Sequence, residues 1–258
     1  MSEPFYLPLG ADRYASTKAT VGPWDARFQH GGPPVALLVR ALEGCEPAAD
    51  TLLSRLTAEF IRPVPMADVD VSARVLRGGR RVQLLEADLT SEGRPVLRAR
   101  GWRLRAQPQA GLVAAGSDPP PPLPESAIAG PVPDFDEGYA RALEWRVAGG
   151  STVRPGPATV WARLRGPVVE GEEPSPVQRV AAVADSGNGV SWVLDWGRWS
   201  FVNVDLSIHL VRPPRGEWVC LDARTQVDPG GVAVASTTLY DQDGRIGTSA
   251  QSLLVTPR

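Results

Sequence analysis

The sequence predicts an α+β fold built from two fused copies of one unit, each an antiparallel sheet wrapped around a central helix. Three observations predict it. Phe60-Ile61-Arg62-Pro63 is matched by Leu210-Val211-Arg212-Pro213, two apolar residues and Arg-Pro at the end of an alternating run. Glu92-Gly93-Arg94 is echoed by Asp243-Gly244-Arg245. The offsets are 212 − 62 = 150 and 243 − 92 = 151, which implies one extra residue in the second copy. Finally, each half carries a helix-type segment followed by a series of strand-type segments. Two copies are too few for a solenoid and fit a fused pseudo-dimer, whose shared interface is a natural place for a site.

The first half opens with His30-Gly31-Gly32-Pro33-Pro34, which leads into Val35–Glu43. Proline is tolerated in a first helical turn, and an apolar run on all faces marks a buried helix. Strand-type segments follow at about 52–63, 68–77, 80–90 and 95–105, with Gly78-Gly79 and Glu92-Gly93 as turns between them. Residues 107–125 stand apart because Pro119 to Pro122 are four consecutive prolines. Proline lacks a backbone donor, so this stretch reads as an extended surface connector between an N-terminal unit (1–106) and a C-terminal unit (126–258).

The second unit repeats the plan. Strand-type segments at about 140–147 and 158–165 precede a helix over Val177–Ala184, which ends at Asp185-Ser186-Gly187-Asn188-Gly189. Strands recur near 199–212, 217–228, 231–240 and 245–255. In the first of these, Val202, Val204, Leu206, Ile208 and Leu210 alternate with Asn203, Asp205, Ser207 and His209. That is period-two patterning, with one apolar and one polar face.

Composition narrows the function. The formal charge is −2 (27 basic against 29 acidic residues), which disfavours nucleic acid or an anionic membrane as partner. No apolar run approaches a membrane span, and the start MSEPFYLPLGADRY lacks the pattern of a signal peptide, so the cytoplasm is the expected compartment. Cys45 and Cys220 fit no metal spacing and read as buried thiols. No Gly-x-Ser-x-Gly elbow, phosphate loop or dinucleotide fingerprint occurs.

Three stretches together resemble the double-hotdog acyl-CoA thioesterases of the bacterial thioesterase II type. His30-Gly31-Gly32 opens the first helix, and Ala184-Asp185 closes the second. Asn203-Val204-Asp205-Leu206-Ser207 through Arg212-Pro213, with Ser249-Ala250-Gln251, completes the match. The resemblance implies hydrolysis of acyl-CoA to a free acid and CoA, with no metal and no redox cofactor. It implies that an Asp, a Thr and a Gln orient the attacking water. Asp185 and Gln251 fall at two of these places, and Asn203 stands where the Thr belongs.

The residues carry their own indications. A negative charge at a helix C-terminus is disfavoured by the dipole, so Asp185 is not there to stabilise its helix. It suits a general base, set against the alternative of a turn-forming Asp. An Asn side chain both donates and accepts, so Asn203 can hold a water. The backbone N–H of Gly31 or Gly32 can polarise a thioester carbonyl, because Pro33 and Pro34 have no N–H to offer. At an offset of 151, Gln251 aligns with Arg100, so the copies have diverged and one site per chain is expected. His209 reads as solvated, His30 as positioning the loop before its helix, and neither as part of a pairing motif. Trp192, Trp196 and Trp199 follow Asp185 and suit an apolar wall for an acyl chain. Two alternatives stay open: an acyl-CoA or acyl-lipid binding protein without turnover, and a hotdog hydratase, which calls for an Asp/His pair. Exposed sheet edges would favour a homodimer.

Overall fold

A computed structural model describes residues 2–10, 12–107, 109–112, 118–130 and 135–258. In the first half, strands β1 (Tyr6–Gly10) and β2 (Arg13–Ser16) precede helix α1 (Gly32–Gly44). Strands β3 (Thr51–Phe60), β4 (Asp68–Arg77), β5 (Val82–Ser91) and β6 (Arg94–Arg105) follow. The second half begins with α2 (Tyr139–Ala142), β7 (Leu143–Gly150), β8 (Ala158–Leu164), α3 (Pro176–Ala184) and α4 (Gly187–Val190). It ends with β9 (Trp199–Asn203), β10 (Asp205–Leu210), β11 (Val219–Asp228), β12 (Val232–Asp241) and β13 (Gly244–Pro257). All strands join one sheet in the order β1-β2-β4-β5-β6-β3-β10-β13-β12-β11-β8-β7, with β9 on β13. The predicted double hotdog is therefore the fold: each half curls around its helix, and α1 packs against α3 inside. Val35 to Val39 and Leu42 of α1 are fully buried, which explains why that helix is apolar on every face.

The halves meet where β3 and β10 pair antiparallel, with Ser207 opposite Thr57, Asp205 opposite Glu59 and His209 opposite Arg55. Ser207 and Thr57 differ by 207 − 57 = 150, so each is the other's counterpart and the pair lies on the pseudo-two-fold axis. The same offset holds across the sheet. Ile61 N–H donates to Val96 O and Val211 N–H to Ile246 O, where 211 − 61 and 246 − 96 both equal 150.

This corrects the expected extra residue. The turn after β5 is closed by Ser91 opposite Arg94, and the turn after β12 by Asp241 opposite Gly244, again 150 apart. Both turns have two residues. Glycine occupies the second turn position in one copy (Gly93, φ 71°) and the position after the turn in the other (Gly244, φ 130°). Both places need a positive φ that glycine adopts at little cost, so the Gly-Arg echo slipped by one while the strands did not.

A second correction concerns 199–212, which forms two strands broken at Val204. Segment β9 pairs with the end of β13, and β10 bridges β13 and β3. At the break, Val204 N–H donates to Ser252 O, and Val204 O accepts from Phe60 N–H. The break reverses the faces: Leu206, Ile208 and Leu210 are buried as expected, but Phe201 is buried instead of Val202 and Val204, which are 43% and 50% exposed.

Part of the predicted connector, residues 108 and 113–117, lies outside the described residues. The following stretch lies on the outer face of the second half. Trp161 Nε1 donates to Pro122 O at 3.2 Å and Arg146 to Pro124 O at 2.7 Å. Leu123 packs against a buried cluster of Trp161, Trp218 and Cys220. The ends of the sheet are also covered by the chain. Tyr6 N–H donates to Val168 O, Glu170 N–H donates to Tyr6 O, and Ile128 bridges Trp145 of β7.

Candidate active site

Helix α3 is capped by Ser175, whose Oγ accepts from Gln178 N–H, with Pro176 at the first helical position. It ends at Asp185. The chain turns there into α4, so the carboxylate projects from the helix end toward the start of α1 rather than along its own axis. The side chain is only 3% exposed. A carboxylate so deeply buried must be hydrogen-bonded, and this one is.

Its Oδ1 accepts from Asn203 Nδ2 at 2.9 Å and from Gln251 Nε2 at 3.2 Å. Gln251 also donates to Asp185 O at 2.9 Å, and its Oε1 accepts from Asn188 N–H at 3.0 Å. The register that sets Asn203 opposite Leu253 brings β9 beside the strand that carries Gln251. Thus Asp185, Asn203 and Gln251 converge, drawn from a helix end and two strands.

The first half supplies the other side. His30 Nδ1 lies 3.1 Å from Asp185 Oδ2 and 3.1 Å from Gly32 N. It can donate to the carboxylate or accept from the amide, and not both. An ionised carboxylate facing a bare ring nitrogen would oppose two lone pairs, so a bond to Asp185 requires the proton on Nδ1, at the expense of the Gly32 N–H bond. Burial pushes the His30 pKa down, against the pull of Asp185. Tyr139 stacks flat on it with ring centroids 3.7 Å apart. The Tyr139 hydroxyl donates to Ala182 O at 2.7 Å and lies 2.8 Å from Ser186 Oγ, which ties the ring to α3.

The glycine pair is required by close approach. A Cβ on Gly31 would meet Phe60 Cζ at 2.6 Å and Asp185 Oδ2 at 2.7 Å, and one on Gly32 would collide with Ala182 O. The start of α1 and the end of α3 can touch only because both residues lack side chains. Gly31 also lines the adjoining cavity, and Gly32 does not.

That cavity, of about 340 Å³, is bordered by His30, Gly31, Asp185 and Asn203 at one end and by aromatic side chains elsewhere. Trp24 stacks on Trp196 at 4.6 Å, and Phe201 packs edge-on against both. Of the three tryptophans expected to wall an acyl chain, Trp196 lines the cavity. Trp192 is core, its Nε1 donating to Thr152 O, and Trp199 packs behind with it. His209 is exposed on the outer face, as expected.

The sequence matches the model of the acyl-CoA thioesterase N-terminal domain over residues 20–104 and that of the C-terminal domain over 114–255. The chain belongs to the acyl-CoA thioesterase family. It is a thioester hydrolase. Similar solved structures include the tesB protein of Mycobacterium avium subs paratuberculosis, at 19% identity and TM-score 0.69 over 98% of this chain and 96% of that one. Another is the acyl-CoA thioesterase II TesB2 of Mycobacterium marinum, at 16% identity and TM-score 0.66, covering 98% and 95%. A hot dog fold protein of Alicyclobacillus acidocaldarius aligns at 18% identity and TM-score 0.70, covering 95% and 92%. These likenesses establish the fold. Among the curated proteins none matches by sequence. No helix among the described residues is long and apolar enough to cross a membrane.

The pseudo-two-fold axis gives this thioesterase a second, related cleft of about 260 Å³, lined by Glu43, Leu52, Leu53, Pro176 and Pro213. Glu43 faces the cap of α3, as Asp185 faces the start of α1, and accepts from Ser175 Oγ and Gln178 Nε2. Its strand residues differ. With the offset at 150, Gln251 corresponds to Gly101 and not to Arg100, and Asn203 corresponds to Leu53. Leu53 Cδ1 fills the space where a side chain on Gly101 would go, at 2.5 Å from its would-be Cβ. Two amides are replaced by hydrocarbon, so the second cleft lacks the polar set of the first.

His30 is the residue that sequence reasoning passed over as a partner. Its proximity to Asp185, 155 positions away (185 − 30), is created only by the packing of α1 on α3. The signal available was its place directly before the glycine pair.

Proposed function

We propose that this thioesterase hydrolyses acyl-CoA through a water activated by Asp185. The observation that carries the reading is the donor count around that carboxylate. A carboxylate offers about four acceptor sites. Asn203 and Gln251 take two on Oδ1, and His30, with its proton on Nδ1, takes one on Oδ2. One site on Oδ2 is left, and Asn203 Oδ1 has no donor among the described residues. A water that donates to both would be oriented beside the cavity. It adds to the thioester carbonyl carbon as its proton passes to Asp185. The carbonyl oxygen becomes an oxyanion and is received by the Gly31 N–H. The C–S bond then breaks, and the sulfur leaves as CoA thiol with the proton from Asp185. His30 orients the carboxylate and acts as a positioning residue. Asn203 holds both the carboxylate and the water, whereas Gln251, whose amide is engaged by Asp185 and Asn188, holds the carboxylate. The Trp24–Trp196 wall receives the acyl chain.

Thiol release across acyl-CoAs from short to long chains, with one atom of ¹⁸O from labelled water in the released acid, tests this reading. Tight binding of acyl-CoA without thiol release at any length would overturn it and favour a binding protein. The Asp185–His30 contact, which the sequence did not reveal, is the feature that favours a hydratase. Hydration of an enoyl-CoA at a rate above thiol release would establish that reading instead.

A further inference from the structure

The two halves differ at one charged position beside the cavity. Arg62 and Arg212 are counterparts (212 − 62 = 150). Arg212 is neutralised by Asp241, donating to its two oxygens at 2.6 and 2.5 Å, and it also donates to Arg245 O at 3.2 Å and Gly244 O at 3.0 Å. Arg62 keeps the backbone part of this arrangement, donating to Pro95 O at 2.6 Å, where 245 − 95 is again 150. It lacks the acid. The counterpart of Asp241 is Ser91 (241 − 91 = 150), whose hydroxyl donates to Asp68 O. Among the described residues Arg62 forms no ion pair.

Arg62 is exposed and is the one Lys or Arg side chain described in the wall of the cavity. Nearby Arg27 is already paired with Asp25. An uncompensated guanidinium at the rim of an apolar cavity favours an anion, and its fork of donors matches phosphate. The thiol side of the substrate carries such a group, because the pantetheine arm ends in a phosphate ester both in CoA and on a carrier protein.

We propose that Arg62 binds the phosphate at the end of the substrate's pantetheine arm, left free to do so because position 91 is Ser where the other half has Asp241. This rests on the thioesterase reading above. The test sets one acyl group on pantetheine, phosphopantetheine, CoA and a carrier protein, with the full chain and its Arg62→Gln variant. Arg62→Gln lowers kcat/KM about tenfold on the phosphate-bearing substrates, mostly through KM, and leaves the pantetheine thioester unchanged. Arg62→Lys retains part of the effect. The parent's preference between CoA and carrier-protein thioesters identifies the source of the phosphate. An equal loss on pantetheine, or no loss on phosphopantetheine, would overturn the proposal. If no thioester turns over, calorimetry separates the two readings. Desulfo-CoA should still bind about tenfold more weakly to Arg62→Gln while pantetheine binding is unchanged, and equal binding to parent and variant refutes the role of Arg62.

Discussion

Replacing Gly31 by alanine places a methyl group between the two helices at the point where the halves of the site meet. Its Cβ would lie 2.7 Å from Asp185 Oδ2 and 2.6 Å from Phe60 Cζ, whereas ordinary contact begins at 3.4 Å. With the backbone fixed, the carboxylate must therefore retreat by about 3.4 − 2.7 = 0.7 Å and the Phe60 ring by about 3.4 − 2.6 = 0.8 Å. A full retreat of Oδ2 along the His30 direction stretches the 3.1 Å contact to about 3.8 Å, beyond hydrogen-bond range. Misplacement on the scale of 1 Å costs up to about 100-fold in rate, so we expect kcat to fall between about 10- and 100-fold. Overpacking should also cost about 1–3 kcal/mol of stability. Steady-state thiol release and denaturant unfolding on the same preparation measure both. Phe60→Leu, which opens space on one side of the methyl, should restore part of the activity to Gly31→Ala. A Gly31→Ala protein with parental kcat and parental stability would refute the claim that this contact sets the carboxylate.

Tyr139→Phe keeps the ring over His30 but leaves Ala182 O without that donor, and should lower stability by about 1 kcal/mol, with kcat little changed. Tyr139→Leu also removes the stacked ring and should lower kcat, a difference read by comparing the two variants in thermal melts and initial rates. His30 is held below its ordinary pKa by burial, so its neutral form is favoured in the fold. Its contribution to stability is complete above the unfolded value of about 6.5 and is lost as pH falls through the lower folded value. Unfolding curves between pH 7 and 5 should show that slope in the parent and a shallower one in His30→Asn. Arg103 donates to Leu42 O, Cys45 O and Glu46 O at the end of α1 and is remote from the cavity wall. Arg103→Met should destabilise the chain by about 2–4 kcal/mol while leaving KM unchanged, because three carbonyls lose a charged donor.

Much of the fold could be read from local pattern. The apolar run of α1, the Asp185 helix end and the strands after each helix all follow from periodicity and turn residues. What failed was register. The Glu-Gly-Arg and Asp-Gly-Arg echo matches two identical residues, as the Arg-Pro echo does, yet glycine occupies different positions in two turns of equal length, and the slip made Arg100 the partner of Gln251. Only hydrogen-bond pairing reveals Gly101 and Leu53 as the true counterparts of Gln251 and Asn203. The break at Val204 was hidden because period-two alternation continues through it in the sequence, while β9 and β10 pair with different neighbours. Asp185, Asn203 and Gln251 meet in one hydrogen-bonded cluster, and Gly31 and Gly32 lie against the end of α3. His30, Trp24, Phe60 and Arg62 join them only through the crossing of α1 and α3 and the pairing of β3 with β10, which no local pattern encodes.

The central claim is that the Asp185 carboxylate activates the water. Asp185→Asn keeps shape and volume and removes the basic oxygen. Measured by thiol release from the best acyl-CoA, with circular dichroism and melting to verify the fold, it should lower kcat by about 10²- to 10⁴-fold, the range for a general base. A folded Asp185→Asn protein that releases thiol at the parental rate would contradict the account.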